Sequence, residues 1–149
     1  MKSVNLNNTN LINAILEDCD LELSDINYVY AHNITFKKCN LSNSKIVDGD
    51  FSNSSFSNSM ATNTNMCGSI FSNSKLTNIK FDNSNLSQCN FENCVMIDVS
   101  FEICILEDCN FNNVDLGQVN FKGAKIDNIK LNGSLFDENT FALSKESNY

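Results

Sequence analysis

The residues of this 149-residue chain that could carry chemistry are seven cysteines, one histidine and a few adjacent carboxylates. A structural zinc site holds thiolates at short spacings such as C-x2-C. Here Cys19, Cys39, Cys89, Cys94, Cys104 and Cys109 are separated only by multiples of five, and no C-x2-C pair exists. Such thiols read as small buried fillers; Cys67 stands apart and is expected to be exposed. His32 would need a nucleophile and an orienting partner for catalysis, and the sequence suggests neither. Glu17-Asp18, Glu107-Asp108 and Asp137-Glu138 have nothing beside them that would raise a carboxyl pKa. There is no glycine-rich phosphate loop. The expectation is therefore a protein with no catalytic residue, no metal site and no cofactor.

What positions these residues is a period of five. From Leu6, every fifth residue to Phe141 is apolar, 28 positions without a break in frame. All 11 phenylalanines fall on this lattice. Two residues before each centre, 24 of 28 residues are Ala, Cys, Ser, Thr, Val or Gly; two residues after, 20 of 28 are Asn, Asp or Gly. On an α-helix a step of five spirals around the axis, and on a straight strand it flips the face. The pattern requires a chain that runs extended for about three residues and then turns, with Asn, Asp or Gly where the backbone bends. Centres at positions ending in 1 hold Phe in 8 of 14 cases, those ending in 6 in 3 of 14. Alternate sides therefore differ, and four sides give coils of 20 residues. Phe51, Phe71, Phe91 and Phe111 are predicted to stack in one column, with Phe81, Phe101, Phe121 and Phe141 opposite.

The copies Cys39-Asn40-Leu41-Ser42-Asn43, Cys89-Asn90-Phe91-Glu92-Asn93 and Cys109-Asn110-Phe111-Asn112-Asn113 resemble the pentapeptide-repeat family, whose motif is roughly A-(D/N)-L-x-x. The resemblance covers residues 4 to about 143. It implies an all-β fold, a right-handed quadrilateral parallel β-helix of about seven coils, on the order of 34 Å long at about 4.8 Å per coil. One domain over 1–149 is expected, with a short C-terminal cap at 142–149, long enough for a turn of helix. Ala31 and Ala61 are undersized centres where repacking or a small void is expected. The segment 27–32 is the least regular and is expected to distort its face.

Tract 51–74, FSNSSFSNSMATNTNMCGSIFSNS, has the composition of a linker. Its centres Phe51, Phe56, Ala61, Met66 and Phe71 keep the phase of both flanks, so it reads as ordered coil.

The net charge of −8 comes from 18 acidic residues and 10 basic ones, all lysine. A chain without arginine offers little to nucleic acid. The opening residues hold no apolar run suited to a signal peptide, and no segment suits a membrane span; a cytoplasmic location with reduced thiols is the expectation. Residues 51–81 contain no acid and two lysines, whereas 82–149 hold 11 acids and 4 bases. The resemblance brings in one partner class, because some family members protect DNA gyrase from quinolones and are thought to mimic duplex DNA. Here the neutral middle interrupts any acidic stripe, and the frame has no loop of the kind the drug-resistance members use. A topoisomerase ligand is therefore the alternative, and a non-catalytic protein-interaction or scaffold module with an unknown protein partner is the first reading. The chain is expected to be a monomer or a weak end-to-end dimer. The candidate contact surface is Val95, Ile97, Glu102, Ile103, Ile105, Glu107, Asp108 and Asp127; its four apolar members lie within about one coil and read either as one patch or, as the favoured alternative, as four scattered exposed side chains.

Overall fold

A computed structural model describes residues 3–146. Each five-residue unit makes one side of a square coil. In many units the centre carbonyl accepts a hydrogen bond from the N–H three residues on, as from Ser74 to Phe71 (3.1 Å) and Cys94 to Phe91 (3.1 Å). This closes a β-turn whose third residue must adopt positive φ. That position recurs every five residues, and from Asn8 to Gly133 only Gln118 departs from it. Gly68 shows why one corner needs glycine: φ is +74°, and an added Cβ would lie 2.1 Å from Asp48 Oδ1.

Successive coils pair in parallel with a register shift of 20 residues. The first face, residues 3–8 of the coil and their equivalents, is bridged from Asn5 through Asp25, Lys45, Asn65 and Asn85 to Ile105. It continues through β6 (Ile105–Glu107), β7 (Lys125–Asp127) and β8 (Lys145–Glu146). The third face carries β1 (Ile15–Glu17), β2 (Thr35–Lys37), β3 (Ser55–Met60), β4 (Lys75–Lys80) and β5 (Val95–Ser100), paired in that order. The face through Asp20 has paired levels only from Asp20 to Asn120, so about six four-sided turns are complete, with partial coils at both ends. Among the described residues there is no helix.

The core follows the lattice. Phe71, Phe91 and Phe111 stack at centroid separations of 5.1 and 5.0 Å, and Phe81, Phe101 and Phe121 at 5.3 and 5.6 Å. The two columns meet edge to face, as at Phe91–Phe101 (66°). Such pairs add about 0.5–1.5 kcal/mol beyond area burial. Ala31 and Ala61 are fully buried, and Ile34, three residues after Ala31, puts a large side chain at a position usually small.

The inward Ser and Cys residues do more than fill space. Ser84 Oγ donates to the Ala61 carbonyl of the preceding coil (3.0 Å) and accepts from the Thr64 N–H (2.9 Å). Ser54 and Ser74 repeat this arrangement. Cys89, Cys94, Cys104 and Cys109 donate to the equivalent carbonyls at 2.9–3.1 Å. The serine oxygens give buried N–H groups such as that of Thr64 an acceptor, whose loss would cost about 1–3 kcal/mol; the thiols add a second donor to carbonyls such as that of Phe71, which already accepts from the Ser74 N–H.

Three expectations are corrected. Segment 27–32 is regular: the Tyr28 N–H bonds the Val47 carbonyl (2.9 Å), and Tyr30 bridges both Asn10 and Asp50. Phe136 is not a core centre but 50% exposed. The backbone leaves the lattice there because Asp137 Oδ1 accepts from the Asn139 and Thr140 N–H groups (2.8 and 3.0 Å), which forms a turn of its own. Phe141, reached through that turn, still meets Phe121 at 5.0 Å. Of the segment expected to form a helical cap, the described part turns and rejoins the first face as β8; residues 147–149 lie outside the described residues.

Candidate interaction face

Left-handed backbone costs an ordinary side chain about 1–2 kcal/mol, and for a β-branched residue it is an outlier. Six corner residues adopt it without being Asn, Asp or Gly: Ser3, Leu23, Tyr28, Lys38, Gln88 and Ile103. Five of these lie on the two corners that bound the first face. One corner runs Ser3, Leu23, Asn43, Asn63, Asn83, Ile103; the other includes Tyr28, Asp48, Gly68, Gln88 and Asp108. The third corner, Asn13 to Asn113, is asparagine throughout. Leu23 (57% exposed), Tyr28 (52%) and Ile103 (51%) hold their strained corners while presenting apolar surface to solvent.

The sequence-derived contact surface divides in two. Val95 and Ile97 lie on β5 in the third face, beside Asp115 and Gln118. Ile103 and Ile105 lie on the first face. Ten residues are half of a 20-residue coil, so the two pairs point to opposite sides and the single apolar patch does not form. Glu102, Ile103, Ile105, Glu107, Asp108 and Asp127 do share the first face and its corners. Two of their four carboxylates are offset by lysines, Glu102 by Lys122 (3.7 Å) and Glu107 by Lys125, and Asp108 accepts a hydrogen bond from Asn128. Near the N-terminus Lys37 pairs with Glu17 (2.6 Å) and Lys38 with Asp18 (3.9 Å). The Lys37 ammonium holds the Glu17 carboxyl below its usual range.

A groove of about 430 Å3 runs along the first face. Its walls are the row Asn43, Asn63, Asn83, Ile103 and the row Lys45, Asn65, Asn85, Ile105; Ser44, Thr64 and Ser84 form its floor. Sequence reasoning missed both the groove and the clustered strained corners. Sorting corner residues by 20 rather than by five would have brought the corner cluster out.

The remaining chemistry-bearing residues stay apart. His32 Nδ1 is 3.9 Å from Asp50 Oδ2 at the surface. None of the cysteines forms a disulfide, including the neighbours Cys19 and Cys39. Burial pushes the Cys94, Cys104 and Cys109 thiols up to about 12, and raises those of Cys89 and Cys39. Cys67 is half-buried rather than exposed. Among the described residues no three His, Cys, Asp or Glu side chains are placed to hold a metal ion, and no helix is long and apolar enough to cross a membrane.

A model of the pentapeptide repeat region matches residues 64–141, and one of pentapeptide repeats (8 copies) matches 5–43 and 36–73. The chain belongs to the pentapeptide-repeat family. Among solved members is HetL, involved in heterocyst differentiation regulation, from the cyanobacterium Nostoc sp. strain PCC 7120. It is 13% identical over 88% of this chain, with a TM-score of 0.48. The match spans 63% of HetL's length. Rfr23 from the cyanobacterium Cyanothece 51142 is 16% identical over 93% of this chain and 88% of its own, with a TM-score of 0.44. A trypsin-treated form of QnrB1, a plasmid-mediated fluoroquinolone resistance protein, is 14% identical over 95% of this chain and 94% of its own, with a TM-score of 0.40. No curated protein matches the chain.

Proposed function

We propose that this pentapeptide-repeat protein is a non-catalytic binding module for a protein partner, and that the first face is its contact surface. The observation that carries this reading is the gathering of Leu23, Tyr28 and Ile103, exposed and apolar in left-handed backbone, along the two corners of one face. Strain of this kind is held by the surrounding structure and clusters at active sites, ligand clamps and switch regions. Ile105 adds a further 39% exposed aliphatic side chain to that face.

A topoisomerase ligand that imitates DNA has less support. Such a ligand needs a continuous run of unpaired carboxylates, whereas Glu17, Asp18, Glu102 and Glu107 each face a lysine from the next coil. The acid-free stretch 51–81 separates the two acidic ends. A gyrase supercoiling assay with and without quinolone is expected to show neither inhibition nor protection.

The face is tested by photo-crosslinking. A benzoylphenylalanine is placed at Asn65 or Ile105 on the first face, or at Asn73 or Asn93 on the third corner, in cells expressing the full chain. A discrete adduct from the first pair alone is expected. Equal capture from both pairs, or capture from the third corner alone, would contradict the assignment.

A further inference from the structure

The width of the groove decides what can occupy it. Its two rows are only two residues apart along the chain, one of them in left-handed backbone, so their Cα atoms stand no more than about 6.6 Å apart. An α-helix with side chains is about 10–12 Å across and is too wide to seat between them. A single extended peptide can lie along the mouth of the groove, against both rows. From Asn43 to Ile103 the groove crosses three coil spacings, on the order of 14 Å, which a fully extended chain covers in about four residues.

The backbone of this face is already paired coil to coil, so a peptide cannot add as a strand to it. The side-chain amides take that role. On the third corner the asparagine amides bond one another, Asn113 to Asn93 (3.0 Å) and Asn93 to Asn73 (3.1 Å). In the groove they do not. Among the described residues the Asn63 and Asn83 amides have no hydrogen-bond partner, and Asn65 and Asn85 use only Oδ1, towards Cys67 and Ser87. Asn43 is engaged by Glu22 (3.3 Å) and stands outside this set. The two ends of the groove differ: Lys45, which makes no ion pair among the described residues, stands at one end, and the apolar Ile103 and Ile105 at the other.

Resting on the reading of the first face as a contact surface, we infer that the groove binds an extended segment of about four residues of the partner. The segment carries a carboxylate side chain that meets Lys45 and an aliphatic side chain that meets Ile103 and Ile105. Its main-chain N–H and C=O groups bond the free amides of Asn63, Asn83 and Asn85.

The test is an NMR titration of the full chain with a pool of blocked tetrapeptides that begin with Asp, end with Leu, Ile or Val and hold Ser, Thr or Gln between. Saturable shifts of the Asn63, Asn83 and Asn85 side-chain amides are expected. Lys45→Glu, an exposed change, is expected to weaken binding at least tenfold, and a second pool beginning with Lys is expected to restore it. Absence of shifts at these amides at millimolar peptide, or affinity indifferent to Lys45→Glu, overturns the inference. Shifts confined to Leu23 and Tyr28 overturn the groove while leaving the wider face assignment to stand; failed crosslinking at Asn65 and Ile105 overturns the face assignment and the groove with it.

Discussion

Phe91 and Phe111, one coil apart, lie face to face with ring centroids 5.0 Å apart and planes 10° from parallel. Each is fully buried. The same relationship repeats up the column, so every ring is held by the one before and after it, and stability is a sum of neighbour terms. Phe91 also meets Phe81 and Phe101 across the coil. Phe91→Ala is expected to cost about 3–5 kcal/mol, read as a drop in urea midpoint by circular dichroism. A loss below about 1 kcal/mol, far under the usual range for such a truncation, would show that the column does not support the fold.

The inward hydroxyls are expected to matter through their hydrogen bonds more than through their volume. Ser84→Ala removes the acceptor of the Thr64 N–H and the donor to the Ala61 carbonyl. It is expected to cost about 1–3 kcal/mol. Ser84→Cys keeps a weak donor and is expected to cost less. Equal costs for the two variants in chemical denaturation would contradict the role assigned to the hydroxyl.

The buried thiols give the stability a dependence on alkaline pH. Burial holds Cys94, Cys104 and Cys109 protonated up to about 12, above the value of about 8.5 for a free thiol. Between those limits the unfolded chain releases protons that the folded chain retains. The stabilising contribution is therefore complete below about pH 8.5 and falls as pH rises towards 12. Unfolding monitored from neutral to high pH is expected to show this decline, reduced in a Cys94→Ser, Cys104→Ser variant. At neutral pH a thiol reagent is expected to modify Cys67 and Cys19 first, with the others reacting only on unfolding.

Deleting Asn63 tests the lattice itself. Its N–H bonds the Asp82 carbonyl (3.0 Å), and its corner sets the phase of the later coils. The loss of one residue shifts later centres outward. The coils after residue 63 are expected to lose cooperative unfolding and native amide-exchange protection. Full retention of both would contradict the five-residue frame.

Much of the architecture was legible in the sequence because a five-residue period allows few backbones. The Phe columns, the order of tract 51–74 and the Asn/Gly corners all follow from it. The features that escaped depended on the longer period of 20. Val95 and Ile105 look adjacent in sequence yet lie half a coil apart. Glu102 and Glu107 look like free acids until Lys122 and Lys125 arrive from the next coil. Phe136 keeps the spacing of the lattice, but the carboxylate of Asp137 diverts the backbone into a turn. The roles of Ser and Cys were hidden because size alone explained their placement.

The claim that strained corners mark a contact face is tested most directly by equilibrium unfolding of Leu23→Asn, Tyr28→Asn and Ile103→Asn, each made alone. Asparagine adopts left-handed backbone more readily than these residues, and each of the three side chains is more than half exposed. Each variant is therefore expected to gain up to about 1 kcal/mol, a rise in melting temperature of about 2–4 °C. Losses of stability in all three would mean that packing holds these residues in place, and the functional assignment of the face would fall with that result.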